Sequence, residues 1–169
     1  MKGVLLAIDR IVDRLAGVGL WVSIGALLGM TALVTVEVTT RKIFRWSTGI
    51  MDEYSAYMLA GMIFFSLAIV AIRERHVRVR FILEKLPGSV TRWFYLAIEG
   101  VTIAYLGLVT WHAFYLVRAS YVSKAVAETP AETLLWLPQL SFPLGMTIFI
   151  MAVIAIFIKE ITRAFSKSS

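Results

Sequence analysis

Four long runs of apolar residues occupy most of this chain and limit the folds that it can adopt. The first run, from Leu15 to Val36, contains no charged residue. As a helix it is about 33 Å long, which matches the roughly 30 Å hydrocarbon core of a bilayer. Two further uncharged runs extend from Tyr54 to Ile72 and from Thr133 to Ile158. Each of these three runs is long enough to cross a membrane.

The remaining apolar run, from Trp93 to Val117, is the least uniform because Glu99 and His112 interrupt it. Its length is still sufficient for a membrane span. No repeat, low-complexity tract or flexible linker separates the runs, so a single domain covering residues 1–169 is expected. The sequence predicts an all-α membrane protein with four transmembrane helices at about 15–38, 54–72, 93–117 and 140–158.

The basic residues predict the orientation of these helices. If both termini are cytoplasmic, twelve basic residues lie on the cytoplasmic side and five lie outside, as the positive-inside rule requires. The outer five are Arg41, Lys42, Arg45, Arg118 and Lys124. Because the net charge of +6 arises in short loops beside membrane spans, orientation and anionic lipid explain it without nucleic-acid binding.

Composition argues against an enzyme. The chain is 59% hydrophobic and has no cysteine, which excludes disulfides, thiol chemistry and thiolate metal sites. A membrane haem usually needs two imidazoles at similar depth, whereas His112 lies in a span and His76 in a loop. We therefore expect no catalytic residue, metal site, substrate site or cofactor, and interpret His112 as a residue of helix packing.

The segment before the first span has the pattern of an amphipathic helix. Its apolar residues recur at helical spacing and are Val4, Leu5, Ile8, Ile11, Val12 and Leu15. The opposite face carries Lys2, Asp9, Arg10, Asp13 and Arg14. This pattern predicts an N-terminal interfacial helix in contact with phospholipid. The first span is too long for a signal-peptide core, so we expect it to be retained as a membrane anchor.

The connections between the spans carry a recognisable order of short motifs. A basic segment with Trp46 and Glu53 precedes the second span, a His-x-Arg-Val loop ending in Leu-Pro follows it, and Leu-Pro-Gln and Pro-Leu-Gly precede the last span. This order resembles the DctQ-like small membrane subunit (Q subunit) of tripartite ATP-independent periplasmic (TRAP) transporters. The matching residues are Arg41, Glu53, His76, Arg78, Val79, Leu86, Pro87, Leu137, Pro138, Gln139, Pro143 and Gly145. One departure is Arg80, where many relatives have an acidic residue.

The resemblance implies a division of labour in the bacterial inner membrane. A large membrane subunit (M) would hold the substrate and sodium sites, and a periplasmic substrate-binding protein (P) would deliver an organic acid such as a carboxylate or sialic acid. The present chain would scaffold the large subunit and help to dock the binding protein. The scarcity of polar residues within its spans is compatible with a passive role.

Two groups of residues are candidates for these contacts. The outer group Arg41, Lys42, Arg45 and Trp46 is the candidate docking site for the binding protein, with headgroup anchoring as the alternative. The candidate subunit or lipid interface comprises Gly25, Gly29, Glu99, His76 and Arg78. Gly25 and Gly29 form a small-xxx-small pattern. Glu99 is expected either to make a polar contact with the partner subunit or a lipid headgroup, or to pair within the chain. Glu37 lies one helical turn before Arg41, so we expect them to pair.

Two other classes of protein remain as alternatives. One is the small subunit of a tripartite tricarboxylate transporter, which also has four spans but is not expected to share the His-x-Arg-Val and Leu-Pro-Gln motifs. The other is a haem or quinone membrane anchor of an oxidoreductase, against which the missing second imidazole is the main argument.

Overall fold

The computed structural model describes residues 2–47, 49–73 and 88–166 of the chain, and its architecture is helical. The helices are α1 (Lys2–Phe44), α2 (Met51–Arg73), α3 (Gly88–Val122), the short α4 (Trp136–Gln139) and α5 (Ser141–Ser166). Four helical stretches are long and apolar enough to cross a membrane, namely Ile8–Phe44, Met51–Arg73, Leu96–Val122 and Trp136–Lys159. The prediction of an all-α fold with four such helices is therefore confirmed.

Helix α1 extends well beyond the predicted first span. Its 43 residues correspond to about 65 Å at 1.5 Å per residue, roughly twice the thickness of a hydrocarbon core. The predicted amphipathic segment and the first span are one continuous helix. Val12 and Ala16 of this helix are buried against Ala68 of α2 and Ala152 of α5. Thus part of the apolar face of the N-terminal segment packs within the bundle.

Helix α5 lies at the centre of the bundle. It packs against α1, α2 and α3, whereas α3 packs mainly against α5 and α4. In its most apolar stretch 39% of the residues are buried, compared with 17% in α3, 11% in α1 and 6% in α2. A second buried cluster joins Leu106 of α3 to Met146 and Val153 of α5. The three helices α1, α2 and α5, called the three-helix core below, therefore form the main packed body, and α3 is attached to one side of it.

Two glycines set the closest helix contacts. A Cβ atom on Gly19 would lie 2.5 Å from the backbone oxygen of Phe65, and one on Gly145 would lie 2.6 Å from the backbone carbon and oxygen of Phe64. Ser23 adds a polar contact by donating from Oγ to the backbone oxygen of Met62, at 2.9 Å. Because lipid tails are as apolar as most side chains, close approach through small residues is a main source of helix association in membranes.

The two ends of the bundle differ in what they contain. At one end, Lys159 Nζ of α5 lies 2.5 Å from Asp9 Oδ1 of α1, so the start of α1 and the end of α5 are neighbours. The α1–α2 connection at 45–50 and the α3–α4 connection at 123–135 lie at the opposite end. Five residues of the predicted motifs lie outside the described residues, namely His76, Arg78, Val79, Leu86 and Pro87.

Candidate docking surface

The predicted basic docking residues lie where α1 ends. Arg45 adopts a left-handed conformation with φ 51°, and its N–H donates to the backbone oxygen of Arg41 at 3.1 Å, which terminates the helix in the manner of an αL cap. Lys42 and Arg45 are exposed, and the side chain of Trp46 is also largely open. These three side chains are available to a partner or to lipid headgroups.

Arg41 is different because it has a partner within the chain. Its Nε donates to Glu37 Oε1 at 2.9 Å, so the predicted pair one helical turn apart is confirmed. Ser47 in the α1–α2 connection donates from Oγ to the same oxygen at 2.6 Å. Glu37 is only 2% exposed, and a buried carboxylate requires such hydrogen bonds. The hydrogen bond from Ser47 to Glu37 therefore holds the α1–α2 connection against the end of α1.

The α3–α4 connection is a folded segment that lies across the same end. Val126 and Leu134 form an isolated antiparallel bridge. Ala127 N–H donates to the backbone oxygen of Thr133 at 2.9 Å, and Leu135 N–H donates to that of Ala125 at 3.0 Å. These hydrogen bonds close a compact loop whose tip carries Glu128, Pro130 and Glu132, all exposed. An edge-to-face contact between Tyr121 and Trp136, with centroids 5.5 Å apart, joins its two ends.

Glu53, a motif residue at the start of α2, joins this loop to the rest of the surface. Its carboxylate accepts a hydrogen bond from Thr129 Oγ1 and another, at 2.8 Å, from the hydroxyl of Tyr57. Thr133 Oγ1 also donates to the Tyr54 hydroxyl at 3.3 Å. Glu53 and Thr129 are 76 residues apart in the chain. Their hydrogen bond brings the α3–α4 connection against the start of α2, beside the α1–α2 connection, so the two connections meet on one surface.

Gly49 provides a second point of contact between the connections. It has a positive φ of 69°, a conformation that glycine adopts at little cost. A Cβ atom on Gly49 would lie 3.7 Å from Pro130 Cγ. We call the exposed residues of 42–47, 49–52 and 124–134 the docking surface. It carries Lys42, Arg45 and Lys124 together with Asp52, Glu128 and Glu132.

This mixture of charges was not apparent from the sequence. The basic residues stand out because Arg41, Lys42 and Arg45 are close in the chain. The acidic residues of the α3–α4 connection are distant in sequence, and only their packing beside Glu53 brings them to the same end. Acidic residues are visible in a predicted outer connection, but the sequence does not indicate how close they lie to Lys42 in space.

The described members of the predicted interface group have different surroundings. A Cβ atom on Gly29 would lie 3.3 Å from Met58 Sδ, so Gly29 faces α2, whereas one on Gly25 would have no neighbour within 4 Å. Glu99 is 4% exposed and lies on the buried face of α3. This burial favours a contact of Glu99 within the chain over a contact with a partner. The glycines in closest helix contact, Gly19 and Gly145, were not part of the predicted group.

Three motif residues, Leu137, Pro138 and Gln139, belong to α4. Pro138 accepts a hydrogen bond at its backbone oxygen from Ser141 Oγ, at 2.7 Å, and Gln139 N–H donates to the backbone oxygen of Leu135, at 3.2 Å. They therefore help to form the turn between the docking surface and α5. Within the described ranges, no group of three or more His, Cys, Asp or Glu side chains could hold a metal ion.

These features define a class, a multi-pass membrane protein with a structured surface at one end of its helices. The family model described as "Tripartite ATP-independent periplasmic transporters, DctQ component" matches residues 30–163. The chain therefore belongs to the DctQ family and is the small (Q) subunit of a TRAP transporter. Membership of this family implies association with a large membrane subunit and a substrate-binding protein. No match was found among curated proteins.

Proposed function

We propose that this subunit scaffolds the large subunit and helps to dock the periplasmic substrate-binding protein during sodium-coupled uptake of an organic acid, such as a carboxylate or sialic acid. The observation that carries the docking role is the joining of the two connections by Glu53 and Thr129 into one exposed surface of mixed charge. Charged groups at a transient interface raise encounter rates and select partners. The subunit performs no catalysis of its own.

The proposed topology places the docking surface in the periplasm and both termini in the cytoplasm of a bacterium, with the helices in the inner membrane. The neighbouring positions of Asp9 and Lys159 support termini on the same side. The excess of basic residues on that side supports its assignment to the cytoplasm. We propose that residues 1–169 form a single domain, since α5 packs against each of the other long helices.

The length of α1 supports a further proposal about its first turns. A helix of about 65 Å cannot lie entirely within a hydrocarbon core of roughly 30 Å unless it is strongly tilted. Arg10 and Arg14 are exposed near its start. We infer that this amphipathic part lies at the cytoplasmic membrane surface and contacts phospholipid headgroups. The loop residues His76 and Arg78 are proposed to contact lipid or the large subunit.

Charge reversal tests the docking role. Lys42→Glu combined with Arg45→Glu changes two exposed residues of the docking surface and leaves the Arg41–Glu37 pair intact. In proteoliposomes containing the complete transporter, this variant is expected to raise the apparent KM for the binding protein at low salt, with a smaller effect at high salt. Arg10→Glu, an exposed reversal near the opposite end, is the matched control.

The alternative of headgroup anchoring predicts a different outcome. In that case the double variant leaves the KM for the binding protein unchanged while the amount of assembled transporter falls. The scaffold role is tested separately by purifying a tagged copy from native membranes in mild detergent and identifying its companions by mass spectrometry. Recovery of the large subunit in a fixed ratio is expected, whereas recovery of the small subunit alone or with a redox enzyme would contradict the proposal.

A further inference from the structure

The face of α3 that points away from the three-helix core contains an unusual set of residues. One side of α3 is buried through Leu106, Thr110, Ala113, Val117 and Ser120. The opposite side is exposed, and its residues recur every three or four positions as Val101, Tyr105, Leu108, His112 and Tyr115. We call these five residues the outer stripe. Its two tyrosines, at 66% and 70%, are among the most exposed large side chains of α3.

The polar members of the outer stripe lie deep in the span. The apolar stretch Leu96–Val122 has its midpoint near residue 109, so Tyr105, His112 and Tyr115 lie within about 10 Å of it along the helix axis. The hydrocarbon core extends about 15 Å from the midplane. Helical side chains tilt towards the N-terminus of their helix. The Tyr115 hydroxyl is therefore directed away from the nearer membrane surface and back towards the midplane.

These groups have unused hydrogen-bonding capacity. Among the described residues, neither the Tyr105 nor the Tyr115 hydroxyl has a hydrogen-bond partner. The ring of His112 uses Nδ1 in a 2.9 Å contact with the backbone oxygen of Leu108. Its Nε2, on an exposed residue, has no partner among the residues that the structure describes. Polar groups facing lipid at this depth cannot bond to water and are costly. Another protein surface would supply the partners that lipid tails lack.

The exposed face of α1 provides a contrast. Thr31, Thr35 and Thr39 are also polar, but each hydroxyl donates to the backbone oxygen four residues earlier, at 2.7–2.8 Å. This face therefore satisfies its own polar groups and is compatible with lipid. A tyrosine hydroxyl is too far from its own backbone to form such a bond. The need for an external partner is therefore greater on α3 than on α1.

We propose that the outer stripe of α3 is the surface on which a transmembrane helix of the large subunit packs, with polar groups of that helix bonding to Tyr105, His112 and Tyr115. The three-and-four spacing suits a left-handed helix pair crossing at roughly 20°. Because α3 packs mainly against α5 and the short α4 in the described part of the chain, its exposed face leaves space for this partner. The inference rests on the proposed scaffold role and identifies the helix that performs it.

Photocrosslinking tests this assignment within the complete transporter. A benzophenone analogue of phenylalanine replaces Tyr105 or Tyr115 in turn, and the matched control replaces Trp21, an equally exposed aromatic residue of α1 at 74%. After purification of the complex, irradiation is expected to link the α3 positions to the large subunit, identified by mass spectrometry, with several-fold lower yield from position 21. Crosslinking from position 21 but not from α3 would overturn the assignment.

Other outcomes are equally decisive. Products from α3 that contain only lipid, or only a second copy of this chain, would also overturn the assignment. Failure of the large subunit to co-purify before irradiation would instead contradict the scaffold role itself.

The variant Tyr105→Phe with Tyr115→Phe removes only the two hydroxyls. At about threefold per interhelical hydrogen bond, dissociation of the complex should accelerate roughly fivefold to tenfold, with Trp21→Phe as the control. An unchanged rate would overturn the proposed hydrogen bonds from the two tyrosine hydroxyls to the helix of the large subunit.

Discussion

The three-helix core and α3 are both built from apolar helices, yet they are held in different ways. In the core, Gly19 and Gly145 allow backbones to approach closely, and alanines fill the space between the helices. Helix α3 instead contacts the core through one stripe of side chains and leaves its opposite face open. The comparison shows that apolar character alone does not determine helix contacts in a membrane. Small residues allow close packing, and polar side chains can form hydrogen bonds across helices.

The largest difference in stability is expected between a valine substitution at Gly145 of α5 and one at Gly107 of α3. Gly145→Val would place side-chain atoms against the backbone of Phe64, which cannot move aside as a side chain can. Overpacking of this kind should destabilise the fold by about 3 kcal/mol. Gly107→Val is the matched control because a Cβ atom there has no neighbour within 4 Å. Tryptophan fluorescence during heating measures both, and equal losses of stability would contradict the comparison.

A smaller difference in stability is expected within α1, between alanine substitutions at Gly19 and at Gly25, which lie six residues apart. Gly19→Ala introduces a Cβ atom close to the backbone oxygen of Phe65 and should cost about 1–2 kcal/mol. Gly25→Ala adds a methyl group in open space and should leave the thermal midpoint unchanged or slightly raised. If Gly25→Ala were the more damaging change in the isolated subunit, the assignment of the close helix contact to Gly19 would be wrong.

The buried carboxylate of Glu37 tests whether polar contacts add to the packing of the core. Glu37→Gln keeps an oxygen that can accept from Ser47 but removes the charge that pairs with Arg41. A loss of about 1 kcal/mol is expected, since hydrogen bonds to charged groups are stronger than neutral ones. The matched change Glu132→Gln alters an exposed residue and should have no measurable effect. Chemical unfolding in detergent compares the two variants.

The smallest loss of stability is expected from the ion pair between the start of α1 and the end of α5. Lys159 and Asp9 form an ion pair whose side chains are 30% and 23% exposed. Partly exposed pairs contribute little after desolvation and screening, so Lys159→Met should lower stability by at most about 0.5 kcal/mol. The double variant Lys159→Met with Asp9→Asn should match the single variant. A loss as large as that of Gly145→Val would show that this ion pair, and not packing, joins α1 to α5.

Features that depend on neighbouring residues in the chain were accessible from the sequence. The helices follow from runs of apolar residues, and the Glu37–Arg41 pair follows from helical spacing. Contacts between distant segments were not accessible. The Gly25–Gly29 pattern is as visible as any small-residue pattern, but Gly25 faces open space, while Gly19 and Gly145 make the close contacts. Likewise, the chain order does not reveal that Glu53 meets Thr129.

The sequence by itself determined that the chain has four helices long and apolar enough to cross a membrane, because the bilayer requires long apolar segments whose backbone groups bond internally. Its ordered motifs also indicated the family to which it belongs. Only the tertiary structure decided that α5 is central, that α3 is attached to one side, and that two distant connections form one surface. The physical reason is that helix surfaces of similar hydropathy are nearly equivalent in lipid, so their arrangement depends on the shape and hydrogen bonding of particular side chains.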